Sequence, residues 1–236
     1  MFFNFSSVNI QTTGVCSLAL AGMLCLGLVS CASQVPVKIE DQSSKAGTIQ
    51  IELIPGDAYQ HTVGWFIFGY TVYPQVAIWI EKTDGAFVKN LYVTAKAENK
   101  NWIASPAEGR PEALPVWNHL QKPNADVVAS ATPTDGTTQD VTPVGGLEPG
   151  NYIVKLETNR SYDWNEAYPE SVVGVVGQPS VVYQAEIIIG EGSQTKEFLP
   201  IGTGSIDGSN GSIQPGLKNL DSALNLFSEL NITINE

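Results

Sequence analysis

Alternating apolar and polar positions predict β-strands along much of the chain after residue 47. Residues 48–54 alternate and run into Pro55-Gly56, which is typical of a half-buried strand that ends in a turn. The β-rich segments 76–80 and 87–93 are joined through Asp84-Gly85, a pair that tolerates the positive φ angles of a tight hairpin. Three more strands are predicted at 152–158, 181–189 and 230–234.

Helical patterns are few. Residues 110–120 predict a short helix that begins near Pro111 and is limited by Pro115. A second helical face is predicted from four apolar side chains, Leu217, Leu220, Leu224 and Phe227. Neither segment alternates with strands in the way that builds a parallel sheet, so the expected fold is mainly β, an antiparallel β-sandwich with one or two short helices.

The segment 147–152 indicates a particular class of sandwich. It reads LEPGNY and places a Pro149-Gly150 turn just before a strand that begins with Asn151 and Tyr152. This layout resembles the tyrosine corner of immunoglobulin-like domains. We therefore expect residues 47–236 to form one immunoglobulin-like β-sandwich domain.

The N-terminal region carries an export signal. The apolar run 15–29 is shorter than the roughly 20 residues of a membrane-spanning helix, and its length is typical of a signal-peptide core. It leads into Leu28-Val29-Ser30-Cys31, which is similar to the lipobox of bacterial lipoproteins. We expect residues 1–30 to be a signal peptide and Cys31 to carry the lipid. Residues 1–30 contain no Lys or Arg, so a short uncleaved anchor is the alternative, with the same compartment.

Residues 31–46 are polar and predict a tether between the lipid and the folded domain. The expected partner of the anchor is a lipid bilayer, with the domain facing the periplasm. Ala32 follows Cys31 in place of Asp, which favours the outer membrane. All 3 cysteines lie at or before position 31, so the domain has no thiol chemistry and no disulfide.

Charge and histidine content exclude several functions. All 24 acidic and 12 basic residues follow the signal, and a net charge of −12 repels phosphate backbones, so we expect no nucleic-acid partner. His61 and His119 are the only histidines and lie far apart in sequence, which gives no basis for a zinc site or a Ser-His-Asp triad. We expect no metal and no enzymatic activity.

A threonine-rich segment is a candidate cofactor site. Asp126, Ala131 and Thr132 match the motif at which a flavin transferase attaches FMN to threonine through a phosphodiester, whereas Ala129 and Ser130 depart from it. The aromatic cover that a flavin ring needs is expected from nearby side chains, Trp102, Trp117, Tyr162 and Trp164. The alternative is a threonine-rich loop with no cofactor.

The segment 159–166 is a candidate ligand-binding loop because it concentrates aromatic and hydrogen-bonding side chains after a predicted strand. Its candidate residues are Arg160, Ser161, Tyr162, Asp163 and Asn165. The alternative is a structural loop in which Asp163 and Asn165 cap turns and the aromatic rings pack on a sheet edge.

Five short motifs resemble one known family. They are 110–117, 129–133, 149–152, 161–165 and 177–180, and their order is similar to that in the predicted periplasmic proteins grouped as domain of unknown function 2271. The resemblance implies an extracytoplasmic β-rich domain, often encoded near membrane redox or iron-uptake proteins, with no established reaction. We expect a non-catalytic binding or accessory module with an envelope redox or uptake protein as partner. The alternative is an electron carrier with FMN on Thr132.

Overall fold

A computed structural model describes residues 47–64, 69–102, 107–120, 129–130, 138–143 and 146–236, with the backbone alone at 129–130 and 138–143. The expected signal peptide, Cys31 and the tether lie outside the described residues, as do Asp126, Ala131 and Thr132. Within the described ranges, no helix is long and apolar enough to cross a membrane.

The described residues form three sheets. Their strands are β1 Thr48–Pro55, β2 His61–Val63, β3 Tyr70–Val72, β4 Gln75–Lys82, β5 Phe87–Thr94, β6 Ala129–Ser130, β7 Thr138–Pro143, β8 Gly150–Asn159, β9 Val181–Ile189, β10 Gln194–Glu197, β11 Leu199–Thr203, β12 Gln214–Pro215 and β13 Phe227–Asn235. One sheet has seven strands in the order β12-β11-β9-β8-β4-β5-β6, and another has four in the order β10-β13-β1-β7. β2 and β3 form a separate two-stranded sheet.

The two larger sheets share one hydrophobic core. In β1, Ile49, Ile51 and Leu53 alternate with more exposed residues, because successive side chains of a strand point to opposite faces. They join one apolar cluster with side chains of the seven-stranded sheet such as Ile78 and Leu156. This arrangement confirms the mainly β prediction, and the strands predicted at 48–54, 76–80, 87–93, 152–158, 181–189 and 230–234 all form.

A second apolar cluster covers the other face of the seven-stranded sheet. Trp79 and Val182 of the sheet pack with Leu114, Val116 and Trp117. The covering segment includes two short helices, α1 Ala95–Glu98 and α2 Pro115–Asn118. Every residue of β4 except its last is buried, because this central strand is covered on both faces.

The helix predictions need correction at two places. Residues 110–120 form a 3₁₀ turn, Pro111–Ala113, followed by α2, because Pro115 has no N–H to continue one helix. The apolar residues between 217 and 227 do not form a helical face. A 3₁₀ turn, Ser222–Asn225, leads directly into β13, and Leu217, Leu220 and Leu224 pack against the core from irregular backbone and this turn. A third short helix, α3 Glu170–Val173, was not predicted.

The predicted tyrosine corner forms. The Tyr152 hydroxyl donates a 2.8 Å hydrogen bond to the Glu148 carbonyl, and Tyr152 is only 8% exposed. The immunoglobulin-like topology that it suggested is not confirmed, since β6 runs parallel to β5 at the edge of the larger sheet, whereas immunoglobulin sheets are antiparallel. A local corner therefore does not determine the global topology.

Candidate functional site

A cleft of about 800 Å³ lies between β3, residues 96–102 and 108–112, and the loop that follows β8. Its aromatic lining comes from three different parts of the chain, Tyr70 and Tyr73, Trp102, and Tyr162. A mostly apolar cleft of this volume with a few polar groups has the usual properties of a small-molecule site.

Arg110 is the buried charged residue of this cleft. It is 8% exposed, and its Nε donates to Glu112 Oε1 at 3.0 Å while its Nη1 donates to Ser161 Oγ at 2.6 Å. The remaining nitrogen, Nη2, is buried without a hydrogen-bond partner in the described part of the chain. A buried donor that lacks a partner costs about 1 to 3 kcal/mol, so Arg110 has unused capacity to bind an acceptor.

The local sequence holds Arg110 in place. Gly109 has a φ of +74°, and a Cβ there would lie 2.8 Å from Lys100 Cβ and 3.0 Å from Trp102 Cζ3. Glycine is therefore required both by the backbone conformation and by the close approach of the neighbouring chain. On the other side, Pro111 begins the 3₁₀ turn that carries Glu112.

Tyr162 has an unusual backbone conformation in the wall of the cleft. Its φ is +62°, a left-handed value that is uncommon for a residue other than glycine and that is found often at functional sites. Its N–H donates to the Val175 carbonyl at 2.9 Å, which holds the loop. Its ring makes edge-on contacts with Tyr70 at 6.2 Å and with Trp164 at 5.7 Å between centroids.

The Tyr70 hydroxyl stays protonated near neutral pH. A side-chain hydrogen bond with Tyr162 raises the pKa of Tyr70, burial and the nearby Tyr162 charge raise it further, and Arg110 lowers it by a smaller amount. Tyr70 therefore supplies no negative charge to pair with Arg110. Its ring is 52% exposed, so it is a lightly covered part of the wall.

Two residues of the predicted ligand-binding loop, Ser161 and Tyr162, line the cleft. Arg160 and Asp163 do not, because they form a buried ion pair with each other. Arg160 also donates to the Ala58 carbonyl, and Asp163 Oδ1 accepts a 2.6 Å hydrogen bond from the Ser222 hydroxyl. These contacts join the loop to distant segments, and ligand binding by Arg160 and Asp163 stays a prediction.

Asn165 is also structural, as the alternative prediction stated. Its Oδ1 accepts hydrogen bonds from the Ala167 and Tyr168 N–H groups at 3.0 and 2.9 Å, which caps a turn. Its Nδ2 donates to the Asn219 carbonyl at 2.9 Å. Asn165 therefore fastens the loop and does not line the cleft.

The four aromatic residues expected around a flavin fall into different places. Trp117 is 4% exposed, donates from Nε1 to Asn90 Oδ1 at 2.9 Å inside the second apolar cluster, and does not line the cleft. Trp164 packs on Tyr162, donates to the Gly174 carbonyl and does not line the cleft. Trp102 and Tyr162 do line it. The backbone of Ser130 in β6 pairs with that of Thr94 in β5.

Sequence reasoning did not select Arg110 as a site residue. Arg110 is one of two arginines in the chain, and it lies between Gly109 and Pro111. These two features could have identified it as a candidate binding residue. Its significance depends on Ser161 and Tyr162, which only the folded chain brings to the same cleft.

Glu157 is a buried charge with a structural role. Its Oε1 accepts from Val116 N at 3.2 Å and from Ser180 Oγ at 2.6 Å, and its Oε2 accepts from Trp117 N at 2.8 Å. The carboxylate thus binds buried N–H groups at the start of α2, which have no acceptor within the helix. It anchors the segment after Arg110 to β8.

Comparison with known proteins supports the family prediction. Residues 69–172 match the family model described as "Predicted periplasmic protein (DUF2271)". This match covers fewer than half of the 236 residues. No curated protein and no solved structure matches the chain.

The DUF2271 match includes every residue that lines the cleft except Val175. Tyr70, Arg110, Ser161 and Tyr162 all lie within residues 69–172. Four of the five motifs that carried the resemblance lie there as well, and the motif at 177–180 lies beyond it. The DUF2271 description supports a periplasmic location and gives no reaction.

Proposed function

We propose that this protein is a non-catalytic ligand-binding module on the periplasmic side of the bacterial envelope, and that the cleft at Arg110 is its binding site. The observation that carries the proposal is the Arg110 guanidinium, which lines an aromatic cleft and has one nitrogen without a partner among the described residues. A ligand oxygen bound there would satisfy a donor that the protein itself leaves unused.

The contacts within the cleft favour binding over catalysis. Ser161 accepts a hydrogen bond from Arg110, and an arginine cannot act as the base that would activate a serine. The Glu112 carboxylate is paired with the same guanidinium. These groups hold Arg110 in position and are not arranged as a nucleophile with its base.

Crystals soaked in a chemically diverse fragment library test the binding site. We expect bound fragments to concentrate in the cleft, with a polar acceptor near Arg110 Nη2. The matched variants are Arg110→Gln, which should lose these fragments, and Lys82→Gln, which removes one exposed positive charge elsewhere. Fragments that bind only outside the cleft would contradict the proposal.

The membrane attachment of the module is a separate part of the proposal. A lipid on Cys31 would hold the domain at the membrane, and Ala32 after it favours the outer membrane, where an envelope redox or uptake protein is the proposed partner. Radiolabelled palmitate should enter the wild-type chain and a Cys25→Ala control but not Cys31→Ala. Ala32→Asp should shift the protein toward the inner membrane on fractionation. Label retained by Cys31→Ala would exclude this anchor.

A second candidate function is electron transfer by FMN attached to Thr132. The observation that favours it is the pairing of β6 with the end of β5, in which Ser130 lies opposite Thr94. Lys96 follows Thr94 by two residues and lines the cleft, so β6 runs close to the cleft. Bound FMN would supply reversible electron transfer, and Trp102 and Tyr162 would cover its ring. Co-expression with a flavin transferase should give in-gel flavin fluorescence and the added mass of FMN, both lost in Thr132→Val. A wild-type chain without flavin would exclude this candidate.

A further inference from the structure

We infer that the ligand of the Arg110 cleft is a small aromatic compound that carries a single carboxylate. This inference rests on the proposed binding function and specifies the ligand class. Three properties of the cleft support it: the limited capacity of Arg110, the pairing of the other polar groups, and the aromatic lining.

Arg110 has one nitrogen with no hydrogen-bond partner among the described residues. Its Nε is paired with Glu112 and its Nη1 with Ser161, so the N–H groups of Nη2 are left to meet a ligand. Glu108 and Glu112 both line the same cleft, with Lys96 as a second positive charge. The two carboxylates repel a phosphate dianion more strongly than a carboxylate, which carries a single negative charge and whose oxygens accept from Nη2.

The other buried polar groups of the cleft are largely occupied by the protein. Gln75 Oε1 accepts a 2.9 Å hydrogen bond from Thr94 Oγ1, and the Ser161 hydroxyl is bound to Arg110. A sugar brings many hydroxyl groups and would bury several of them without partners. An aromatic ring requires no such partners and can pack against Trp102 and Tyr162.

Access to Arg110 requires a movement of the wall. Nη2 has almost no exposed surface, so a ligand reaches it only after a lining side chain moves. Tyr70 is suited to this movement because it is 52% exposed and because β3 belongs to the small two-stranded sheet, although the movement breaks its side-chain hydrogen bond with Tyr162. When Tyr70 turns away, the ligand ring can take its position beside Tyr162.

Isothermal titration of the mature chain with four probes tests the ligand class. The probes are 2-naphthoate, its uncharged methyl ester, glucose and inorganic phosphate. We expect 2-naphthoate to bind at one site and the methyl ester to bind roughly tenfold more weakly, because the hydrogen bond to a charged oxygen is the stronger one. Glucose and phosphate should not compete with it.

Two variants connect this binding to Arg110. Arg110→Gln should weaken 2-naphthoate binding roughly tenfold or more, while Lys82→Gln should leave it unchanged. Because Arg110→Gln also removes contacts to Glu112 and Ser161, a second variant, Glu112→Gln, keeps the arginine and removes a competing negative charge. We expect Glu112→Gln to increase the preference for 2-naphthoate over its methyl ester several-fold, because only the carboxylate is repelled by the Glu112 charge.

The outcomes separate the ligand class from the binding function. The inferred ligand class would be wrong if glucose or phosphate bound preferentially in the cleft, or if 2-naphthoate and its ester bound equally well. Either result would leave the proposed binding function in place. A cleft that holds none of the four probes and no library fragment would overturn both.

Discussion

Arg110 donates a 2.6 Å hydrogen bond from Nη1 to the hydroxyl of Ser161, a residue 51 positions later in the chain. Both side chains are buried, and each belongs to a segment outside the main strands. The bond therefore ties the turn before α2 to the loop after β8. It also aligns the guanidinium in the wall of the cleft.

Replacement of Ser161 should destabilise the fold, because its hydroxyl accepts a buried hydrogen bond from Arg110. Ser161→Ala removes the acceptor of Arg110 Nη1 and leaves a second nitrogen without its partner. We expect the free energy of unfolding to fall by about 1 to 3 kcal/mol, measured by urea denaturation. The exposed Ser171→Ala should have no measurable effect. Equal unfolding midpoints for Ser161→Ala and the wild type would show that the bond contributes little.

The tyrosine corner offers a test with two substitutions at one position. Tyr152→Phe removes only the hydroxyl that donates to the Glu148 carbonyl and should cost about 0.5 to 1.5 kcal/mol. Tyr152→Ala also removes a buried ring and should cost about 3 to 5 kcal/mol. Thermal and urea unfolding measure both values. If the two variants were equally stable, the ring would contribute no packing energy.

Glu157 should be intolerant of a change as small as an amide. Glu157→Gln replaces one of two accepting oxygens with an NH₂ group that faces N–H donors at the start of α2. We expect a loss of about 2 to 4 kcal/mol in the free energy of unfolding, because a buried charged network loses one partner. The control Glu186→Gln changes an exposed carboxylate in β9 and should have little effect. A thermal midpoint that is unchanged in Glu157→Gln would contradict the anchoring role.

Two glycines with similar backbone angles separate backbone strain from close packing. Gly109 and Gly146 have φ values of +74° and +89°, but only Gly109 has neighbours at the Cβ position, and Gly146 has no described atom within 4 Å. Alanine should strain both backbones by about 1 kcal/mol. Gly109→Ala should in addition displace Trp102 and weaken probe binding in the cleft. Equal effects of the two variants on tryptophan fluorescence would exclude this displacement.

Asp221 should contribute to the acid sensitivity of the fold. Burial raises its pKa, but hydrogen bonds from the Ser222 N–H and hydroxyl, Gln178 and Asn165 outweigh burial and lower it overall. A carboxyl whose folded-state pKa is lowered stabilises the fold above its unfolded-state pKa, and this contribution is lost as the pH falls through the folded-state pKa.

Urea unfolding at pH values from about 6 to about 3 measures this contribution, since the ordinary pKa of aspartate is about 4. Asp221→Asn should make stability fall less steeply over this range than in the wild type. Glu229→Gln, which changes an exposed carboxylate of β13, serves as the control. Parallel curves for Asp221→Asn and the wild type would contradict the predicted role.

Local patterns in the sequence were sufficient for six of the thirteen described strands and for one turn motif. The alternation at 48–54, the Asp84-Gly85 turn and the Tyr152 corner all form as predicted, because each depends on neighbours within a few residues. The spacing of Leu217, Leu220 and Leu224 misled the helix prediction. Irregular backbone satisfies the same apolar contacts when it packs on an existing core.

The candidate site depended on the tertiary structure. Tyr70, Arg110 and Ser161 come from three separate segments, and nothing in their local sequence indicates that they line one cleft. The sequence by itself determined the mainly β character and the acidic charge, since composition and short-range periodicity encode these properties. The tertiary structure alone decided that Arg110 lines the cleft while Arg160 pairs with Asp163 away from it, because contacts depend on distance in space and not on separation along the chain.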